Sequence, residues 1–316
     1  MMIESLTIFL ILLAFEWAYL QFACKFGIVD KPHHQSSHTG EVVRGGGIVF
    51  YIAFLLGCFI NGKFLNGGIV GLTILAFISF VDDIHSISPK TRLICQFIAV
   101  ISMFFHSGLI QTPFHVIIIL SIACVGMMNI YNFMDGINGL TGGYSLVVGL
   151  AMLYVNIHMV HFANTLLLIT ILLSIIVFNL FNFRMRAKCF AGDVGSLTMG
   201  FIMVYFVLRL ALGGHSMSWL AFLAVYAVDG GLTILHRILL RENLMKPHKK
   251  HVYQIMANEL KMPHLVVSGI YMGLQVVCCV VYILWPGYPS FFTIFGGLIV
   301  MYLVFMKKYY HLHVKN

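Results

Sequence analysis

Apolar runs of roughly 17–22 residues recur along the whole chain, each long enough to cross ~30 Å of hydrocarbon as an α-helix. About eleven can be read, near residues 3–24, 43–61, 67–81, 93–107, 112–128, 139–158, 162–182, 195–213, 217–238, 264–285 and 289–306. Gly and Pro fall inside several of them, which membrane helices tolerate. The first run carries Glu4 ahead of it and no small-residue cleavage site, so it reads as a span rather than a signal peptide. No repeat, low-complexity segment or separate soluble domain is visible. The expected fold is all-α: one polytopic, membrane-embedded helical bundle of about eleven transmembrane helices over residues 1–316.

Composition agrees with that pattern. Sixty per cent of the 316 residues are apolar and 9% are charged, with a mean hydropathy of +0.95. A soluble domain of this size needs far more charge to solvate its surface. The seven cysteines show no metal-type spacing and sit mostly inside apolar runs, where Cys behaves as a small hydrophobe.

Charge sorts the loops. With odd-numbered spans running inward, 17 of the 19 Lys and Arg residues lie on one side; Lys63 falls in an outer loop and Arg209 within a span. The positive-inside rule then sets the N-terminus outside and the C-terminus in the cytoplasm. Topology does not account for Asp82, Asp83, Asp135 and Asp193, which stand at the inner ends of spans.

Four constellations carry chemistry. The first is Phe80-Val81-Asp82-Asp83-Ile84-His85, followed by Ser88-Pro89-Lys90-Thr91-Arg92. Adjacent carboxylates repel and stay ionised only near cations or a metal; such pairs suit Mg²⁺, or else cap the helix starting near Ser88. The second is Asn129-Ile130-Tyr131-Asn132-Phe133-Met134-Asp135-Gly136-Ile137-Asn138-Gly139-Leu140. Its oxygen-bearing side chains between two spans are costly unless they hold a ligand or one another, and Asn129, Asn132 and Asp135 share one helical face. The third runs from Asn182 through Arg184, Arg186 and Lys188 to Gly192-Asp193-Val194-Gly195-Ser196. Cations, a carboxylate and the N–H groups of a helix start describe a site for a metal-bound polyphosphate; a topogenic anchor with a capping Asp is the simpler alternative. The fourth is the inner loop Lys246-Pro247-His248-Lys249-Lys250-His251-Val252-Tyr253-Gln254, whose donors suit a sugar phosphate or a lipid headgroup.

Other polar residues carry weaker signals. Asp229, an acid within a span, is a functional suspect, with Arg237 as its structural partner otherwise. Asp30-Lys31-Pro32-His33-His34 leads to Arg44-Gly45-Gly46-Gly47, where the glycines could admit a phosphate or pack against a neighbouring helix. Glu16 and Arg209 read as a structural ion pair between spans.

In this order and at this depth the motifs resemble the polyprenyl-phosphate N-acetylhexosamine-1-phosphate transferases, the bacterial glycosyltransferase family 4. The match covers about 30–254. The resemblance implies transfer of an N-acetylhexosamine 1-phosphate from a UDP-amino sugar to undecaprenyl phosphate, with release of UMP and a requirement for Mg²⁺ (Mn²⁺ as a substitute). It places Asn132 and Asp193 near the metal and Asp82 and Asp83 on the acceptor side; Arg92 is expected to help Mg²⁺ neutralise the pyrophosphate. His248, Lys249 and His251 fall to sugar-phosphate recognition, and Asn129, Asp135 and Asn138 to the substrate as well. Arg92 stands where many members have Lys, and Asn138 where many have Asp. His-Lys-Lys-His-Val-Tyr-Gln resembles the O-antigen and capsule initiators and differs from the histidine run of the peptidoglycan enzyme. The expected setting is the bacterial inner membrane, with no nucleic-acid partner and with a homodimer left open.

Nucleophile and electrophile in such a reaction are both anionic, so charge neutralisation should dominate. A phosphate monoester is largely dianionic at neutral pH, its second pKa being about 6. Asp82 is expected to orient the lipid phosphate, in direct displacement without a covalent intermediate. A transporter reading is disfavoured because the polar motifs lie at inner span ends, not near the midplane of repeated halves. An intramembrane aspartyl protease is disfavoured because Ala191-Gly192-Asp193 lacks the first Gly of the Gly-x-Gly-Asp motif.

Overall fold

A computed structural model describes residues 2–30, 40–62, 67–243 and 248–309. Lys31 to His34, Lys63, Lys246 and Pro247, named above, lie outside them. The helices are α1 (Met2–Phe26), α2 (Ile48–Ile60), α3 (Gly67–Ile84), α4 (Pro89–Ser107), α5 (Phe114–Met134), α6 (Leu140–His158), α7 (Thr165–Asn182), α8 (Gly192–Gly213), α9 (Ala224–Leu239), the single turn α10 (Val252–Gln254), α11 (His264–Leu284) and α12 (Tyr288–Tyr309). Among the described residues nine helical stretches are long and apolar enough to span a bilayer. α2, at 13 residues, is shorter, and α4 carries Lys90 and Arg92 in its first turn.

The ends of these helices follow local chemistry. α4 starts where Ser88 accepts the Thr91 amide at 3.2 Å, with Pro89 in its first turn, and stops at Gly108 with φ 73°. Asn164 caps α7 by accepting from Leu166 and Leu167 at 2.8 and 3.2 Å. Several predicted boundaries differ: the span expected over 112–128 runs on to Met134, carrying Asn129 and Asn132 on α5, and the one expected from 93 starts at Pro89. The span expected from 43 begins at Ile48, because Val42–Val43 pairs antiparallel with Val29–Asp30. The span expected from 217 opens with a tight 3₁₀ stretch, Met217–Leu223, before α9.

α8 is the axis of the bundle. It is buried almost throughout and packs against α3, α5, α2 and α6, while α7 and α11 flank α6 and α12 packs on α9. The outer faces are apolar: Phe77, Phe105, Ile119, Phe292 and Val304 are exposed, whereas Glu16, Gln96, Thr198 and Gln275 are buried. That inversion is what hydrocarbon solvent selects, and the chain is a multi-pass membrane protein.

Segment 43–47 is laced to the entrance of α8. The Phe190 amide donates to the Val43 carbonyl at 2.8 Å, Gly46 to Phe190 at 2.9 Å and Gly47 to Ala191 at 3.1 Å. A side chain on Gly195 would meet the Gly47 backbone at 2.5 Å, and one on Gly46 the Cys189 sulfur at 2.7 Å. The glycine run therefore serves close packing against α8. Glu16 and Arg209 are not partners: Glu16 accepts from the Cys189 thiol at 3.7 Å, and Arg209 donates to the Phe162 carbonyl at 3.3 Å. They sit near opposite ends of the bundle.

Candidate active site

Adjacent residues on a helix diverge by ~100°, and Asp82 and Asp83, on the last turn of α3, use that divergence. Asp83 turns inward and caps α8, accepting from the Asp193 and Val194 amides, each at 2.9 Å. Arg44 donates to the same carboxylate at 2.8 Å. Asp82 turns to the α3–α4 connection, accepting the Ile87 amide at 2.6 Å and pairing with Arg92 at 2.7 Å. The expected placement of Asp82 against a lipid phosphate thus meets a carboxylate already engaged by Arg92.

Asp193 opens α8, where the helix start favours an anion. Asn132, on the last turn of α5, donates to Asp193 Oδ1 at 2.7 Å and to Ser196 Oγ at 2.9 Å. Arg92 lies 3.5 Å and Arg44 3.9 Å from Asp193 Oδ2. Gly192, at φ +72°, permits this entry, since a Cβ there would press on the Asp83 carboxylate at 2.6 Å. Burial works against the Arg44 charge, but the carboxylates of Asp83 and Asp193 outweigh it and hold the guanidinium above its ordinary value. Three carboxylates face two guanidiniums, so the cluster is one positive charge short.

That deficit and the all-oxygen character of Asp193 and the Asn132 carbonyl suit a hard divalent ion that keeps most of its ligands as water and phosphate oxygens. Among the described residues no group of three His, Cys, Asp or Glu side chains is disposed to hold a metal. The residues fit Mg²⁺ shared with a substrate, not a closed protein cage.

The remaining members of the asparagine motif take other positions. The Asn129 amide pairs with Gln96 of α4, donating to Gln96 Oε1 at 2.7 Å, so it braces α5 against α4. Asn138 donates to the Arg184 carbonyl at 2.9 Å and ties the loop after α5 to the loop before α8. Asp135 lies half-buried beyond the end of α5; burial pushes its carboxyl up to about 7, against a lowering contribution from Thr141. A folded-state value above the unfolded one favours the protonated form. This group's contribution to stability is therefore complete below the ordinary carboxylate range and is lost as pH rises through about 7. Thermal unfolding in detergent should show the wild type losing several degrees relative to Asp135→Asn between pH 5 and pH 8; parallel curves would count against it.

The histidine loop is organised by Asp229. Its Oδ1 lies 3.5 Å from His251 Nδ1 and accepts from the Val252 amide at 3.1 Å, while Oδ2 accepts from Tyr271 at 2.6 Å. Arg237, the partner anticipated for Asp229, instead bonds Glu242 at 3.1 Å and the Asn243 carbonyl at 2.7 Å; Lys250 also pairs with Glu242. His251 is 1% exposed, so it holds the loop, leaving half-buried His248 and exposed Lys249 toward the open side. Burial, then the neighbouring His251 and Arg237, push the His248 imidazole down to about 3, so it is neutral at physiological pH. Tyr253 donates to the Phe133 carbonyl at 2.7 Å, joining this loop to the Asn132 segment. Gly136 leaves room for that tyrosine hydroxyl. Asp229→Asn, which loosens the loop without touching the Asp193 cluster, should raise the KM for a nucleotide-sugar donor by about tenfold, with a smaller change in kcat. Steady-state kinetics with a kcat effect alone would contradict this.

Arg44 and Asp229 complete the site, although neither belongs to one of the four motifs. In the sequence Arg44 is a cation preceding the glycine run, and Asp229 an intramembrane acid.

Residues 65–211 match the family described as glycosyl transferase family 4. The undecaprenyl-phosphate alpha-N-acetylglucosaminyl 1-phosphate transferase of Salmonella typhimurium is 30% identical over 284 residues, covering 80% of this chain and 75% of that protein. A probable undecaprenyl-phosphate N-acetylglucosaminyl 1-phosphate transferase of Bacillus subtilis is 29% identical over 261 residues, 73% of this chain and 70% of the relative. The Yersinia pestis protein of the same name as the Salmonella one is 27% identical over 276 residues, 80% and 75%.

Proposed function

Because this chain belongs to glycosyl transferase family 4, we propose that it transfers N-acetylglucosamine 1-phosphate from UDP-N-acetylglucosamine to undecaprenyl phosphate. A phosphate oxygen of the lipid attacks the sugar-linked phosphorus of the donor; the new P–O bond forms as the bond to UMP breaks. The product, a lipid-linked sugar pyrophosphate, initiates a surface polysaccharide of the O-antigen or capsule type. The setting is the cytoplasmic face of the bacterial inner membrane, and the cation is Mg²⁺. The observation that carries this reading is the Asp193 cluster, a carboxylate at a helix start flanked by Asn132, Arg44 and Arg92.

The chain's own residues provide charge and position. Arg44 and Arg92 neutralise phosphate oxygens in the transition state, held in place by Asp83 and Asp82. Asp82 thus acts through Arg92. Asp193 and the Asn132 carbonyl would hold Mg²⁺, which when bound supplies further neutralisation of the pyrophosphate. Neutral His248 and Lys249 bind the sugar phosphate. The acceptor needs no strong base, being largely dianionic at neutral pH with a second pKa of about 6.

The test is purified protein in detergent with undecaprenyl phosphate, Mg²⁺ and a panel of UDP-sugars, following UMP. UMP release with UDP-N-acetylglucosamine is expected, and none without the lipid or with EDTA. Folded protein that releases no UMP with any donor of the panel, or that takes up solute in proteoliposomes instead, would overturn the proposal.

A further inference from the structure

The opposite end of the bundle holds a second polar site. Arg209 lies 16 residues beyond Asp193 on α8, about 24 Å away along the helix at 1.5 Å per residue. An arginine within an apolar span is costly and usually faces a carboxylate or a cavity. Arg209 is in no ion pair among the described residues. Its Nε and Nη2 reach the Phe162 carbonyl at 3.4 and 3.3 Å, which leaves Nη1 for another acceptor. It borders a cavity of about 50 Å³, with Asn61 at the end of α2, His106 at the end of α4, Asn164 at the start of α7 and Tyr205 on α8. No acid lines it. On this measure one water needs roughly 10–15 Å³, so the space admits about three to five waters or a small anionic group of similar bulk.

His106 also lines a second, larger hollow. This groove, shallow and largely open to the outside of the bundle, runs between α3 and α4 on the same half, walled by Val70, Ile74, Ile98, Ile101 and Phe105. It exists because Gly67 and Gly71 let the two helices touch: a Cβ on Gly71 would stand 2.5 Å from the Ala99 carbonyl oxygen, and the Ser102 hydroxyl donates to the Gly67 carbonyl at 2.7 Å. An apolar groove and a small pocket holding a cation thus share His106 as a wall. Those are the two halves of an amphiphile's binding site.

We infer that this outer-face site binds an anionic lipid, its phosphate against Arg209 and one hydrocarbon chain in the α3–α4 groove. The pocket's size favours a phosphate bearing little beyond its lipid, such as a lipid monophosphate. A free phosphate ion would satisfy the pocket but would not use the groove.

The test is lipid retention by the full chain in detergent, read by native mass spectrometry. The probes are dioleoyl phosphatidic acid, dioleoyl phosphatidylcholine and inorganic phosphate. Wild type should bind phosphatidic acid about tenfold more tightly than phosphatidylcholine, a step of the size charge-assisted hydrogen bonds give. Arg209→Gln should lose that preference, and Val70→Trp, which fills the groove and keeps the cation, should weaken phosphatidic acid retention. Equal preference in wild type and Arg209→Gln overturns the proposal, as does unchanged retention in Val70→Trp. Displacement of the lipid by millimolar inorganic phosphate would make this a free-anion site and overturn the lipid assignment. UMP release should be unaltered in both variants, so failure here leaves the reaction assigned to the other face untouched.

Discussion

Asp193→Asn is expected to lower kcat for UMP release by about 10³-fold, the scale on which a preorganised electrostatic group contributes to charge-dominated transfer. The substitution changes almost nothing else. Asparagine keeps an oxygen to accept from Asn132, which now sits 2.7 Å from the carboxylate, and the α8 entrance stays capped by Asp83. The lost charge, though, is the one Arg44 and Arg92 converge upon, and it is the best oxygen ligand for a shared divalent ion. Thermal unfolding in detergent should therefore move little while turnover collapses. Activity within tenfold of wild type, from protein with a normal melting curve, would remove Asp193 from the chemistry.

Asp83→Ala should show the opposite emphasis, with stability falling first and activity with it. The Asp83 side chain is fully buried, accepts two backbone amides of α8 and holds Arg44. Deleting it orphans two N–H groups and a half-buried guanidinium at once. Breaking a buried pair from one side costs about 3–5 kcal/mol, which for a chain of this size corresponds to roughly 5–8 °C in melting temperature. Asp82→Ala should cost less, because Asp82 accepts one loop amide and its partner Arg92 retains Asp193 at 3.5 Å. The comparison is by melting curves on proteins purified in one detergent. Equal melting temperatures for Asp83→Ala and wild type would show that α8 does not depend on this cap.

These two expectations separate roles that the sequence left joined. As adjacent acids at a span exit, Asp82 and Asp83 invite one function, a paired metal or acceptor site. In the fold they face different partners and act through different arginines. His248 and His251 divide likewise: the first stays near the open side and the second is buried against Asp229. Asn129, on the same helical face as Asn132, is taken up by Gln96.

The sequence by itself determined the membrane class, most of the spans, the gathering of charge at one end and the motifs that mark the family. All of these follow from local information, because hydrocarbon thickness sets the length of each run and motif residues lie within a turn or two of one another. Tertiary structure alone decided which acid meets which cation. Arg44 reaches Asp83 across 39 positions, Asp83 reaches the α8 amides across 110, and Asn132 reaches Asp193 across 61. No periodicity encodes such pairings; they appear only once close glycine packing and the buried α8 bring the helix ends to one place.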